Sequence, residues 1–198
     1  MTVSAIHDRL RRATRASHER LEAIVDVNRA ARTPEGYRRL LAAMLGFYDP
    51  LEAALGRLDW MQAGIDLAAR RKSHLIEADL ATLGLTRADI ARLPRCADVP
   101  VPDGLPVGFG CLYVVEGATL GGRLILRQVG EELGLGPACG AAFYASYGPD
   151  VGRRWREFLA RLTETCTDEP AAAAATEAAL ATFAALEGWL RSRDFSGT

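Results

Sequence analysis

The chain has 198 residues, 49% hydrophobic and 25% charged, enough to bury a substantial core in one domain or at most two small ones. Its formal net charge of −1 gives no general attraction to nucleic acid or to an anionic membrane, so neither is expected as a partner. No apolar run approaches the roughly 20 residues of a transmembrane helix, and the N-terminal segment has no apolar signal core, which argues against secretion.

Taken in chain order, the periodicity is helical almost throughout. Val3, Ile6, Leu10, Ala13, Ser17, Leu21 and Ile24 recur at three and four residues and mark one face of a first helix. Thr33 before Pro34 reads as an N-cap with proline at the first helical position. From there a stripe including Tyr37, Leu41, Tyr48 and Leu55 predicts a long second helix, which Pro50 should kink. A third helix is expected over 65–83, stopping at Gly84. Thr86 to Asp89 resembles a capping box opening a short helix. Prolines at 94, 100, 102 and 106 define a loop, and a long segment to about Leu133 follows it. After a glycine-bearing break, two last helices are expected over 141–166 and 170–191. With no alternating strands, repeats or flexible linker, the fold class is all-α, with residues 1–198 forming a single domain.

Four cysteines, Cys96, Cys111, Cys139 and Cys166, match no metal-ligand spacing and suit free thiols in a reducing cytoplasm. Arg9, Arg11, Arg12 and Arg15 hint at a transit peptide, but Asp8, Glu19 and Glu22 in the same segment argue against one. Lys72 is the chain's single lysine among 24 basic side chains, a bias in keeping with a GC-rich genome.

Two stretches carry chemistry. In "YVVEGATLGGRLILRQVG" (113–130), Gly117, Gly121 and Gly122 sit inside a helical pattern, each at a cost of about 1 kcal/mol relative to Ala. Interior glycines serve either close helix–helix packing or close approach of backbone to a flat ligand. In "RRATRASHERLE" (11–22), His18 lies at the edge of the apolar face with Glu22 one turn on. A carboxylate there can orient an imidazole whose other nitrogen holds a metal. Arg11 and Arg15 share that side of the helix and would suit an anionic cofactor, although a solvated arginine face is the ordinary alternative.

Together, in this order and about a hundred residues apart, these stretches resemble the haem oxygenases, in particular the short bacterial, biliverdin-producing type. "RRKSHLIEADLATLG" (70–84) and "YGPDVGRRWREFLARL" (147–162) also look like segments of that family. The resemblance implies a helical bundle holding haem between the first helix and a kinked, glycine-rich distal helix. It makes His18 the proximal ligand to iron and Glu22 its orienting partner. Gly117, Gly121 and Gly122 become the distal backbone that approaches haem and steers O2 to one meso edge. Arg11, Arg15, Tyr113 and Arg154 are then candidates for the propionates, whereas His7 and His74 read as surface residues.

Haem would be substrate and cofactor together, opened with O2 and external electrons to biliverdin, CO and ferrous iron. The electron donor would be a ferredoxin or a flavin reductase, and a bacteriophytochrome is a candidate recipient of biliverdin. Ala118 departs from the animal-type pattern, which has an aspartate there, so proton delivery must be built differently. The alternatives are a non-catalytic haem carrier or sensor, and a haem-free protein of the related thiaminase-like helical fold.

Overall fold

The computed structural model describes residues 3–24 and 32–193, and within them every regular element is helical. Helix α1 (Val3–Ile24) buries Ile6, Leu10, Thr14 and Ser17, spaced three and four apart as on one helical face. The side chain of Val3, assigned to the same face, lies outside the described set. Helix α2 (Pro34–Leu55) starts where the sequence places it, with Thr33 Oγ1 accepting from the Gly36 N–H at 3.1 Å. It continues through Pro50, which has no N–H for the Gly46 carbonyl one turn back. That carbonyl accepts from the Cys96 N–H instead, at 2.8 Å, and so holds the proline-rich loop to the helix.

The helix expected over 65–83 is not continuous. Two 3-10 turns, Trp60–Ala63 and Ala68–Arg70, precede a shorter α3 (Ser73–Thr82). A carboxylate from another helix determines where α3 begins. Glu52 on α2 accepts the Lys72 N–H at 2.5 Å, the Ser73 N–H at 3.2 Å and the Ser73 hydroxyl at 2.6 Å, satisfying donors that a helix start leaves open. The capping box of Thr86 and Asp89 opens α4 (Arg87–Arg92) as read. Helix α5 (Leu105–Leu133) runs unbroken for 29 residues and ends at Gly134, whose φ of 68° is left-handed.

The segment 141–166 is likewise divided into α6 (Ala142–Ala145), a 3-10 turn at Gly148–Asp150, and α7 (Val151–Thr165). Buried Asp79 accepts the N–H groups of Ala142 and Phe143, each at 2.8 Å, and anchors that turn to α3. Helix α8 (Glu169–Arg191) is capped by Asp168, which accepts from the Ala171 N–H at 2.9 Å.

The most extensive pairing is α5 on α8. Gly110 makes it possible, since a Cβ there would stand 2.1 Å from the Ala175 carbonyl oxygen. By length and composition α5 reaches the span of a bilayer, contrary to the sequence expectation, yet half of its most apolar window is buried inside the bundle. Both α1 and α5 pack on α7 and α8 but scarcely on one another. The space this leaves between them is the site.

Candidate haem site

A cavity of about 380 Å³ opens between α1 and α5, within the range of small-molecule sites. Helix α1 contributes His7, Arg11, Thr14, His18 and Glu22, while α5 contributes Tyr113, Val114, Gly117 and Ala118. Trp155 of α7 and Phe183 of α8 also line it, so the walls are mainly apolar and aromatic, as a porphyrin requires.

His18 is 63% exposed at this wall, with Nδ1 3.5 Å from Glu22 Oε1 and its ring edge-on to Phe183 at 6.4 Å. The carboxylate stands on the Nδ1 side of the ring, so a metal would be met by Nε2. His7 is not the surface residue expected from sequence: it is half-buried in the same wall, against Trp155 at 5.8 Å and Tyr113 at 6.4 Å. Burial lowers its pKa below the ordinary histidine value, outweighing the opposing pull of Asp8. Its spacing from His18, eleven residues or three turns, was the missed signal, since that spacing returns a helix to nearly the same face. About 16 Å of helix rise separates the two imidazoles, so one iron cannot take both. His74 is exposed, as read.

Of the candidate propionate partners, Arg11 and Tyr113 line the cavity. Burial pushes the Tyr113 phenol above its usual pKa, so it remains a neutral donor. Arg15 does not reach the wall: it is solvent-exposed and paired with Glu19 at 2.9 Å. Arg154 is also elsewhere, its guanidinium 5.5 Å from the Tyr147 ring centroid.

The three glycines separate into two roles. Gly117 lines the cavity, and Gly121 stands one turn further along the same side, where an added Cβ would meet nothing within 4 Å. Gly122 faces away from that stripe. A Cβ on it would lie 2.7 Å from the Tyr144 carbonyl oxygen, so this glycine packs α5 against α6.

Behind Ala118 lies a second cavity of about 150 Å³, which Tyr48 and Ala118 share as wall residues with the first. Lys72, Gly122, Tyr144 and Ser146 line it together with Met44, Thr119, Ile125 and Phe143, so its wall is mainly apolar. Beside it, Glu116 forms a buried ion pair with Arg70 and accepts from the Tyr147 hydroxyl at 2.6 Å. Sequence alone did not bring Glu116, Arg70, Lys72 and Tyr147 together. The available signals were a carboxylate in an apolar helix and a lone lysine.

The sequence model of the heme oxygenase family matches residues 4–192. The heme oxygenase PigA of Pseudomonas aeruginosa is 30% identical over 78% of this chain and 75% of its own length. A heme oxygenase of Xanthomonas campestris pv. campestris is 31% identical over 81% of this chain and 87% of its own. In fold, the chain resembles the NO- and CO-bound heme oxygenase of Neisseria meningitidis, with a TM-score of 0.79 at 23% identity, covering 94% of this chain and 90% of that one. The cavity between α1 and α5 is thus found in a chain that belongs to the heme oxygenase family and is an enzyme acting on haem.

Proposed function

We propose that His18 is the protein ligand to haem iron and that haem lies between α1 and α5, with Gly117, Ala118 and Gly121 over its other face. The observation that carries this is a single cavity walled by an imidazole with a free Nε2 on α1 and by side-chain-poor backbone on α5. The residues fit the group: apolar and aromatic walls for the porphyrin, and Arg11 at the wall for a propionate.

Haem supplies the iron at which O2 is reduced and the ring that is opened to biliverdin, with CO and ferrous iron as the other products. The chain's part is to bind, orient and shield. Glu22 would orient the imidazole, Trp155 and Phe183 would pack against the porphyrin, and the absent Cβ atoms of Gly117 and Gly121 would let backbone approach. Tyr48, whose pKa burial raises well above the phenol range, stays protonated beside Ala118.

The reaction consumes electrons that no side chain provides, and an external donor, a ferredoxin or a flavin reductase, supplies them in this reading. A bacteriophytochrome is a proposed recipient of the biliverdin. One hydrophobic core shared by the described helices supports a single domain, and three buried thiols suit a reducing cytoplasm. The test is titration of the purified chain with haemin, followed by reductant under air. A Soret band and then biliverdin are expected. A Soret band without biliverdin would leave a haem carrier, and no Soret band would overturn the site.

A further inference from the structure

The chain's single lysine is almost wholly buried, 3% exposed, whereas its arginines are mostly at the surface. Lysine, unlike arginine, can lose its proton in such a place. The Lys72 ammonium donates to the Arg70 carbonyl at 2.5 Å and to the Tyr147 hydroxyl at 2.7 Å, and stands 3.7 Å from Glu116 Oε1; its side chain forms part of the wall of the small cavity. Ser146, in the same wall, has a buried Oγ with no hydrogen-bond partner. About 150 Å³ has room for water, and in a wall that is otherwise mainly apolar, Lys72 and the unpartnered Ser146 hydroxyl are polar groups that could hold it. Tyr48 and Ala118 belong to both cavities, so water beside Lys72 lies one wall away from the haem cavity.

The geometry points to Lys72 as the source of protons for O2 reduction, relayed through water in the small cavity past Tyr48 and Ala118. This rests on the haem reading of the large cavity. The charges and titratable groups around the ammonium are Glu116 on α5, Glu52 and Tyr48 on α2, Arg70 in the preceding turn, and Tyr147 before α7. Burial outweighs the two carboxylates and brings Lys72 down to about 8. It therefore remains charged at neutral pH while being a far stronger acid than an ordinary lysine. In the relay one Nζ–H bond breaks, its proton passes to cavity water, and the ammonium becomes a neutral amine. The amine lone pair then takes a proton from solvent on the partly exposed Tyr147 side. No electron passes through Lys72.

Lysine labelled with ¹³C and ¹⁵N gives one side-chain signal in this chain, and its titration midpoint in the haem-free protein is expected at about 8. A midpoint at the ordinary value of about 10.4 overturns the proposal. In the haem-loaded enzyme, Lys72→Met should keep the Soret band and haem affinity, slow biliverdin formation about 100-fold, and lose the alkaline fall of the pH profile. Lys72→Arg retains the charge but not the releasable proton, so it should be equally slow. Recovery of the rate by arginine would show a structural role and overturn the relay, as would a Met variant with unchanged rate and profile. If the variants fail to take up haem, the wild-type midpoint decides. A wild-type chain without a Soret band would overturn the haem reading, separately from the lysine midpoint.

Discussion

Gly121 and Gly122 are adjacent in sequence, yet alanine should act oppositely at the two positions. At Gly121 a new methyl meets no atom within 4 Å, and the residue lies within the continuous helix α5. Helix propensity then favours Ala by up to about 1 kcal/mol, or a Tm higher by roughly 2–4 °C for a chain of this size. At Gly122 the same methyl would stand 2.7 Å from the Tyr144 carbonyl oxygen, a backbone atom that moves only with α6. Overpacking of that kind costs about 1–3 kcal/mol, which exceeds the propensity gain and should lower Tm by a few degrees. Thermal melts of the haem-free variants measure both shifts. Biliverdin formation on the same preparations should be slowed in Gly121→Ala, because its stripe continues that of Gly117 along the haem cavity. A lower Tm for Gly121→Ala, or a Gly122→Ala variant as stable as wild type, would refute the division of roles. Unimpaired turnover in Gly121→Ala would confine the haem-facing backbone to Gly117 and Ala118.

The two cavity histidines should separate spectroscopically: His18→Ala loses the histidine-ligated haem spectrum and most turnover, both partly restored by imidazole, whereas His7→Ala keeps the spectrum. Arg11→Glu should weaken haem binding in a haemin titration, while Arg15→Glu, at an exposed pair worth about 0–1 kcal/mol, should change it little. Arg70→Met removes the closest cation from buried Glu116 and leaves it only Lys72 at 3.7 Å and the Tyr147 hydroxyl, so chemical denaturation should show a loss of up to about 3–5 kcal/mol, and Arg70→Met with Glu116→Leu together should lose less. Because burial lowers the His7 pKa, the unfolded chain takes up that proton first as pH falls below about 6.5, and stability is lost there. The fall in Tm on acidification should accordingly be shallower in His7→Gln, measured against wild type.

What the sequence made legible was local. Thr33 before Pro34 and Thr86 with Asp89 cap their own helices, and both signals lie within four residues of the bond they form. The start of α3 was hidden because Glu52, which defines it, lies some twenty residues away on α2. The break after α6 was hidden in the same way, since Asp79 holds Ala142 and Phe143 from across the bundle. Composition alone could not sort the glycines, because Gly121 and Gly122 differ only in what faces them. The pairing of His18 with Glu22 was visible as one helical turn, whereas the arginines at 11 and 15, both exposed and each paired with a nearby carboxylate, looked alike until one was found at the cavity wall and the other away from it.

The group behind Ala118 has a cost that stability does not explain. Glu52, Arg70, Lys72 and Glu116 are each at most 6% exposed, and burying a charge costs several kcal/mol even when it finds a partner. Apolar side chains of similar volume would commonly hold such a position as well or better. The four charges balance, two of each sign, so the group does not force any one of them to neutralise. It joins α2, the turn before α3, α5 and, through Tyr147, the turn before α7. Those are the elements around the small cavity. An apolar replacement could fasten the same helices, but it could not present the side chain that the proposed relay requires, one whose proton is released near neutrality. On the proposed haem reading, Ala118 puts a methyl group at the distal face, and the charged group stands behind it, one wall away.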